Sequence, residues 1–150
     1  MNNIILKQIQ SILDTDTKST YYRVTCMSNI SSLLYNSLDD INWLGFYLKD
    51  CNRLVAGPFQ GKTASTPIEF SKGVVGACAE KCVIINVPNT SKFEGHIACD
   101  IRSRSEIVFP IIIKNTLYAI LDIDSPNLNR FKDEDIAMLK KVVKLIEQAF

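Results

Sequence analysis

The stretch SEIVFPIIIKNTLYAILDI, residues 105–123, gives the clearest structural signal in the chain, because it contains two apolar segments joined by a short polar turn. Ser105–Ile113 and Leu117–Ile123 each have the length of a strand, and Lys114–Asn115 between them is typical of a hairpin. The stretch therefore predicts two adjacent antiparallel strands.

Hydrophobic periodicity extends this assignment to the rest of the chain. It predicts a helix over 21–38, and a C-terminal helix whose first turn holds the acidic residues that a helix dipole favours. Other predicted elements are strands at Ile41–Leu48, Leu54–Ala56 and Val83–Val87, a strand break at Gly57–Gly61, a short helix at Gly73–Lys81 and a long loop at Asn89–Arg104. The pattern predicts one α+β domain over residues 1–150, an antiparallel sheet with helices packed on one face.

Composition excludes several classes of protein. The chain has 150 residues, 47% of them hydrophobic and 22% charged, and a formal net charge of +1 with scattered basic residues. A nucleic-acid surface needs clustered basic residues, and a membrane span needs about 20 consecutive apolar residues. We therefore expect neither partner, and Met1–Lys7 does not have the pattern of a signal peptide.

The five cysteines favour a reduced, cytoplasmic setting, because their number is odd and their spacing is irregular. Cys78 and Cys82 lie four residues apart on a predicted helix, and His96 is the only histidine. Structural zinc sites use four cysteine and histidine ligands, so we expect no metal.

Residues two apart on a strand share a face, and this rule groups aromatic rings with carboxylates. Trp43, Gly45 and Tyr47 share one face, with Gly45 leaving a slot between two rings. The hairpin contributes Glu106, Val108 and Pro110 from one strand and Tyr118, Ile120, Asp122 and Asp124 from the next; Leu117, Ala119, Leu121 and Ile123 are assigned to the core.

If these strands are neighbours, their mixed faces line one pocket. Clustered carboxylates raise one another's pKa, so one can act as an acid while the others hold an ammonium group. Cys99, in the loop before Glu106, is then the candidate nucleophile for a small amino acid.

Each of these residues also has a purely structural interpretation. Asp122 and Asp124 could be solvated at a strand end, and Trp43 and Tyr47 could be ordinary core aromatics. Cys99 could be an inert buried thiol. His96 is interpreted as a residue that shapes the loop by hydrogen bonding, since no Ser/His/Asp arrangement accompanies it.

Six motifs in order across nearly the whole chain resemble the free methionine-(R)-sulfoxide reductases, which are single-domain GAF proteins. The motifs are Trp43-x-Gly45-Phe46-Tyr47, the 57–62 segment GPFQGK, Gly73-Val74-x-Gly76, the 95–100 segment GHIACD, the 105–108 segment SEIV and the 121–126 segment LDIDSP. The resemblance implies a GAF fold with a six-stranded antiparallel sheet, helices on one face and a ligand pocket on the other, in a homodimer.

The resemblance also implies roles for individual residues. Cys99 matches the catalytic cysteine, Trp43 and Tyr47 match pocket aromatics, and Glu106, Asp122 and Asp124 match substrate-binding carboxylates, one of which donates a proton to the sulfoxide oxygen. The implied reaction reduces free L-methionine-(R)-S-oxide to methionine through a sulfenic acid on Cys99, without a cofactor. In the family a second cysteine then forms a disulfide, which a thioredoxin-like reductant opens.

The chain departs from this pattern at both usual positions of the resolving cysteine, which here are Ser65 and Val75. Three hypotheses follow. Cys78, three residues beyond Val75 on the same predicted helix, is a candidate resolving cysteine, although helix packing is the favoured interpretation of this residue. Alternatively, an external small thiol reduces Cys99 directly, or the chain is a non-catalytic GAF module that binds methionine sulfoxide or a similar small amino acid.

Overall fold

The computed structural model describes residues 2–14 and 19–150. Met1, which belongs to the N-terminal stretch considered above, lies outside the described residues. Within the described ranges, no helix combines the length and the apolar character that crossing a membrane requires.

Four α-helices and six strands make up the described part of the chain. The helices are α1 (Asn2–Leu13), α2 (Thr20–Ser37), α3 (Gly73–Lys81) and α4 (Asp133–Ala149). The strands are β1 (Trp43–Asp50), β2 (Arg53–Gly61), β3 (Ile68–Glu69), β4 (Ile85–Val87), β5 (Ser105–Ile113) and β6 (Thr116–Ser125). They form one antiparallel sheet in the order β3-β2-β1-β6-β5-β4, as a GAF fold implies.

The sheet separates two apolar clusters. Helices α1, α2 and α4 pack on one face, where they bury Leu44 and Phe46 of β1 and Leu121 of β6. Helix α3 lies on the opposite face and packs against Tyr47 and Ile120. The predicted helical layer is therefore confirmed for three helices, while the fourth packs on the opposite face, which also carries Trp43 and Tyr47.

The predicted hairpin of β5 and β6 is confirmed, with β5 beginning and ending at the predicted residues. Lys114 and Asn115 both have positive φ, 49° and 61°, as a two-residue type I′ turn requires. Helices α2 and α3 also agree with their predicted ranges. Helix α1 has no counterpart in the sequence predictions, although Ile5, Ile9 and Leu13 recur at helical spacing and are buried.

The predicted strand break at Gly57–Gly61 is wrong, because β2 continues through it with a bulge. Gly45 pairs with Phe59 and Tyr47 pairs with Ala56, so two steps on β1 match three on β2. The extra residue reverses the alternation, and Phe59 consequently points to the same face as Ala56.

A second bulge corrects the faces assigned to the start of β6. Ile111 pairs with Ala119 and Ile112 with Leu117, which leaves Tyr118 as the extra residue. Leu117 therefore packs on the pocket side of the sheet. Tyr118 lies on the helical side and makes an edge contact with Phe150, with ring centroids 5.9 Å apart.

Candidate functional site

Aromatic rings from β1 and β2 form one wall of the candidate site. Trp43 and Tyr47 are fully buried, and their rings stack with centroids 5.7 Å apart. Phe59, turned inward by the bulge in β2, also stacks with Trp43, with ring centroids 5.3 Å apart. The Trp43 indole N–H donates to the carbonyl of Lys62 at 2.9 Å, which fixes the ring and satisfies its donor.

The slot predicted at Gly45 is filled rather than open. A Cβ atom at this position would lie 2.2 Å from Cβ of Phe59 and 2.8 Å from Cη2 of Trp43. Glycine is therefore required so that the two rings can lie close against the backbone of β1.

Substituting Gly45→Ala is expected to destabilise the protein by about 3 kcal/mol, since the added methyl group has no room in a packed region. The matched control is Gly57→Ala in the same strand pair, where the nearest contact is looser, 3.0 Å to Leu48 Cγ. Urea unfolding of both variants measures the difference. Equal losses would show that the ring contacts do not set the requirement for glycine.

Carboxyl groups from the hairpin form the floor of the site. Glu106 on β5 pairs directly with Asp124 on β6, and Asp122 lies two residues before Asp124 on the same face. The pairing of β6 with β1 places Asp122 opposite Gly45 and Asp124 opposite Trp43. All three carboxyl groups are buried, so the interpretation of Asp122 and Asp124 as solvated strand-end residues is wrong.

Burial and mutual repulsion hold protons on these groups. Burial, with the nearby charge of Asp124, raises the pKa of Glu106 well above its ordinary value. Burial also raises the pKa of Asp122, and repulsion from Glu106 and then Asp124 adds to the rise. The pKa of Asp124 rises only to about 7, because His96 and a hydrogen bond with Ser103 offset part of the desolvation. The floor can therefore both donate protons and hold a cationic group.

One acceptor in this floor has no partner. Oδ1 of Asp122 is buried and forms no hydrogen bond within the described part of the chain. A buried unpaired acceptor costs about 1–3 kcal/mol, so such an atom is a candidate contact for a ligand donor.

Cys99 lies in the loop between β4 and β5, and its sulfur faces the aromatic wall. Its Sγ is 3.1 Å from the Tyr47 hydroxyl, and the carbonyl of Ser65 lies 3.1 Å from the same hydroxyl. While the Tyr47 proton is donated to Ser65, the Cys99 thiol is the donor to the Tyr47 oxygen; a Cys99 thiolate instead accepts the Tyr47 proton. The side chain is half-buried and packs against the apolar cluster on the pocket face. The structure therefore brings the candidate nucleophile, the aromatic residues and the carboxyl groups to one place.

Asp100, which the sequence analysis did not single out, anchors this loop. Its buried carboxylate accepts from the backbone N–H of Arg102 at 2.9 Å and from Nη2 of Arg102 at 2.6 Å. Lys62 Nζ lies 3.4 Å away on the loop after β2. The Arg102 guanidinium holds the pKa of Asp100 well below its ordinary value, so Asp100 stays ionised and joins the two loops beside Cys99. The sequence feature that could have identified Asp100 is its position at the end of the 95–100 motif GHIACD.

The Cys99 thiol is protonated at neutral pH. Burial, with the nearby charge of Asp122, raises its pKa to about 11, and hydrogen bonds from Tyr47 and the Ser65 backbone oppose the rise. A thiolate accepts a hydrogen bond from the Tyr47 hydroxyl, so Tyr47 favours the reactive form.

Substituting Tyr47→Phe is therefore expected to raise the pKa of Cys99 further and slow its alkylation. A rise of about one unit lowers the thiolate fraction, and hence the rate with iodoacetamide, by up to about tenfold. Mass spectrometry of the peptide that contains Cys99, taken across a pH series, gives the rate. Ser65→Ala is the matched control, because it keeps both backbone contacts and should leave the rate unchanged. An unaltered pH profile in Tyr47→Phe would contradict the role assigned to the hydroxyl.

His96 contacts the carboxyl floor directly. Its Nε2 lies 2.9 Å from Oε2 of Glu106, and its side chain is mostly buried. Burial lowers the pKa of His96, and the charge of Asp124 opposes that effect. His96, which the sequence analysis interpreted as shaping its loop by hydrogen bonding, therefore also connects this loop to Glu106 on β5.

The two positions that lack the family's cysteines, and the candidate resolving cysteine, all lie on the pocket side. The backbone of Ser65 forms a hydrogen bond with the sulfur of Cys99. The side-chain Oγ of Ser65 donates a hydrogen bond to the Ala98 carbonyl at 3.4 Å. Val75 and Cys78 on α3 are buried in the apolar cluster. Burial and the charge of Asp122 raise the pKa of Cys78 to about 12, so it is a protonated thiol.

Comparison with known proteins identifies close relatives of the whole chain. The sequence profile of the GAF domain family matches residues 3–150. The free methionine-R-sulfoxide reductase of Escherichia coli K12 is 45% identical over 122 residues, covering 81% of this chain and 74% of that protein. Among solved structures, fRMsr of Staphylococcus aureus in complex with substrate has 40% identity and a TM-score of 0.90, covering 99% of this chain and 94% of that one. The free methionine-R-sulfoxide reductase from Neisseria meningitidis in complex with its substrate has 34% identity and a TM-score of 0.90, covering 99% and 87%.

Proposed function

We infer that this chain, which belongs to the free methionine-R-sulfoxide reductase family of GAF-domain proteins, acts on a free oxidised amino acid. We propose that it reduces free L-methionine-(R)-S-oxide to L-methionine with Cys99 as the nucleophile. The observation that carries the proposal is the position of Cys99 Sγ, 3.1 Å from the Tyr47 hydroxyl on the face that holds Asp122 and Asp124.

The pocket groups suit an oxidised free amino acid. The carboxyls of Asp122 and Asp124 provide ion-pair partners for the substrate ammonium, and the unpartnered Oδ1 of Asp122 is available as an acceptor. The faces of Trp43 and Tyr47 offer an apolar wall for the methyl and methylene groups next to sulfur. A bound ammonium group also favours the ionised form of the carboxyl it contacts, which reverses part of the rise in pKa.

The reaction transfers one oxygen atom between two sulfurs. Glu106, the carboxyl that is not assigned to the ammonium group, is protonated and donates a hydrogen bond or its proton to the sulfoxide oxygen, and the sulfur of Cys99 attacks the sulfoxide sulfur. The oxygen passes to Cys99, so the sulfoxide is reduced to a thioether and the thiol is oxidised to a sulfenic acid. The proton lost by the thiol ends on the sulfenic oxygen, and the carboxyl regains its own.

We propose that an external thiol regenerates Cys99. Serine at position 65 next to Cys99 cannot form a disulfide, and Val75 is inert. A first thiol molecule condenses with the sulfenic acid and releases water, and a second displaces Cys99 as a free thiol and leaves as a disulfide. The hypothesis that Cys78 resolves the sulfenic acid remains a prediction; its full burial requires α3 to move before a reductant could reach such a disulfide.

A single-turnover experiment tests the proposed activity. Reduced protein is incubated with the R or S epimer of free methionine sulfoxide without reductant, and released methionine and modified Cys99 are counted by mass spectrometry. We expect about one methionine per chain from the R epimer and none from the S epimer or from a sulfoxide within a peptide, because a residue within a peptide has no free ammonium group for Asp122 and Asp124 to bind. Saturable binding without methionine release, at any thiol concentration, would instead support the non-catalytic GAF module.

The cysteine content bears on the cellular compartment in which the protein works. Five free thiols favour a reducing, cytoplasmic compartment, where small thiols and thioredoxin-like proteins are available as reductants. The homodimer implied by the resemblance is also part of the proposal, and sedimentation equilibrium measures it directly.

A further inference from the structure

Side chains from three separate segments bring metal-ligating atoms together at the carboxyl floor. His96 comes from the loop before β5, Glu106 from β5 and Asp124 from β6. One ligating atom from each lies within 4.8 Å of the other two. Both carboxyl groups are buried, and the imidazole is mostly so. The three groups therefore form a compact set with one nitrogen and two oxygen donors.

The spacing of these atoms is close to that around a small divalent cation. Zn²⁺ binds imidazole nitrogen and carboxylate oxygen at about 2.0–2.2 Å, so ligand atoms of one ion lie about 3–4 Å apart. The His96 Nε2 to Glu106 Oε2 distance, 2.9 Å, is already at the short end of that range. Side-chain shifts of less than about 1 Å would bring the widest separation within it.

An independent feature of the same floor points to a positively charged occupant. Asp122 is 2% exposed, yet its Oδ1 has no hydrogen-bond partner among the described residues. The Asp122 carboxyl shares a hydrogen bond with Glu106, so the unpaired site is confined to Oδ1, and it interacts electrostatically with both Glu106 and Asp124. A cation at the three-residue set would provide a partner for this third carboxyl as well, either directly or through a bound water.

We propose that His96, Glu106 and Asp124 form a binding site for a divalent cation of the Zn²⁺ type. Imidazole together with carboxylate is a donor set that such ions accept, whereas Mg²⁺ and Ca²⁺ favour oxygen ligands alone. The ion would occupy the part of the pocket assigned above to the ammonium group, so cation and amino acid would exclude each other. This exclusion rests on the proposed function, but the cation site itself does not.

Direct binding of Zn²⁺ to the full chain tests the site without any activity assay. We expect one ion per chain by isothermal titration, with affinity reduced by more than about tenfold in His96→Gln and in Asp124→Asn. Cys99→Ser separates thiol binding from the proposed site and should keep the affinity. Asp133→Asn, which removes an exposed carboxyl on α4, is the matched acidic control and should also keep it.

X-ray absorption of the Zn²⁺-loaded wild-type protein gives an answer that needs no variant. Because His96 is the only histidine in the chain, an imidazole signature identifies it as a ligand. A spectrum with sulfur ligands alone, or an affinity unchanged in both variants, would overturn the site even if methionine release were normal. Adding free methionine sulfoxide should weaken Zn²⁺ binding; undiminished affinity at saturating sulfoxide would overturn the mutual exclusion.

Discussion

Replacing Cys99 by serine is expected to abolish methionine release from free methionine-(R)-sulfoxide, with a loss of about 10³-fold or more. A serine hydroxyl is a far weaker nucleophile than a thiolate, and it cannot take up oxygen as a sulfenic acid. Steady-state turnover with dithiothreitol as the small thiol measures the effect, and circular dichroism verifies the fold. Serine is nearly isosteric with cysteine, so substrate binding by the aromatic and carboxyl groups should be retained.

Two further cysteine variants show whether Cys99 acts alone. Cys78→Ala removes the candidate resolving thiol, and Cys82→Ser removes an exposed one at the end of α3. Both should turn over like the wild type with a small thiol, because the proposed cycle uses no second cysteine. Loss of turnover in Cys78→Ala alone, together with a trapped Cys78–Cys99 disulfide in the wild type, would assign the resolving role to Cys78. Full turnover in Cys99→Ser would remove Cys99 from the mechanism altogether.

Local sequence signals were sufficient for the elements that form the carboxyl floor. The Lys114–Asn115 turn joins two apolar segments, and strict alternation from Asp122 to Asp124 places both carboxyls on one face. Glu106 joins them because a hairpin register pairs it with Asp124. These inferences depend on contacts between residues that are adjacent in the chain or opposite each other in one hairpin.

The faces that were predicted incorrectly all lie beyond a bulge. Alternation assigns Leu117 to the helical side and Tyr118 to the pocket side, but the extra residue at Tyr118 reverses both. In β2 the residues that indicated a break, Gly57 and Pro58, instead provide the bulge that turns Phe59 toward Trp43. Strict alternation of faces assumes that no residue is inserted in either strand, so the sequence pattern could not locate either bulge.

Contacts between distant loops could not be predicted for a different reason. The bond from His96 to Glu106 and the ion pair from Lys62 to Asp100 depend on how aperiodic loops pack over the sheet. Local sequence spacing does not set these distances. The cation site proposed above includes one such contact, which explains why counting cysteine and histidine ligands in the sequence gave no metal.

Substituting Asp124→Asn is expected to stabilise the fold at alkaline pH while weakening the hold on the substrate ammonium. Burial raises the pKa of Asp124 from 3.8 to about 7, so the folded protein binds this proton more tightly than the unfolded chain does. Stability therefore falls as pH rises between these two values, and above about pH 7 the full cost, about 4 kcal/mol, is present. Asparagine carries no charge, and we expect a gain of about 2 to 4 kcal/mol at about pH 8.5 that disappears below about pH 4.

Urea unfolding at both pH values measures the gain from Asp124→Asn, and Asp133→Asn is the control because its carboxyl is exposed in the first turn of α4. The variant should also raise the concentration of free methionine sulfoxide that half-saturates the protein, since one partner of the ammonium is lost. The two effects have opposite signs because the charge that costs folding energy in the pocket is the charge that the substrate needs. A variant that is less stable than the wild type at about pH 8.5, with unchanged substrate affinity, would show that Asp124 supports the fold rather than the ligand.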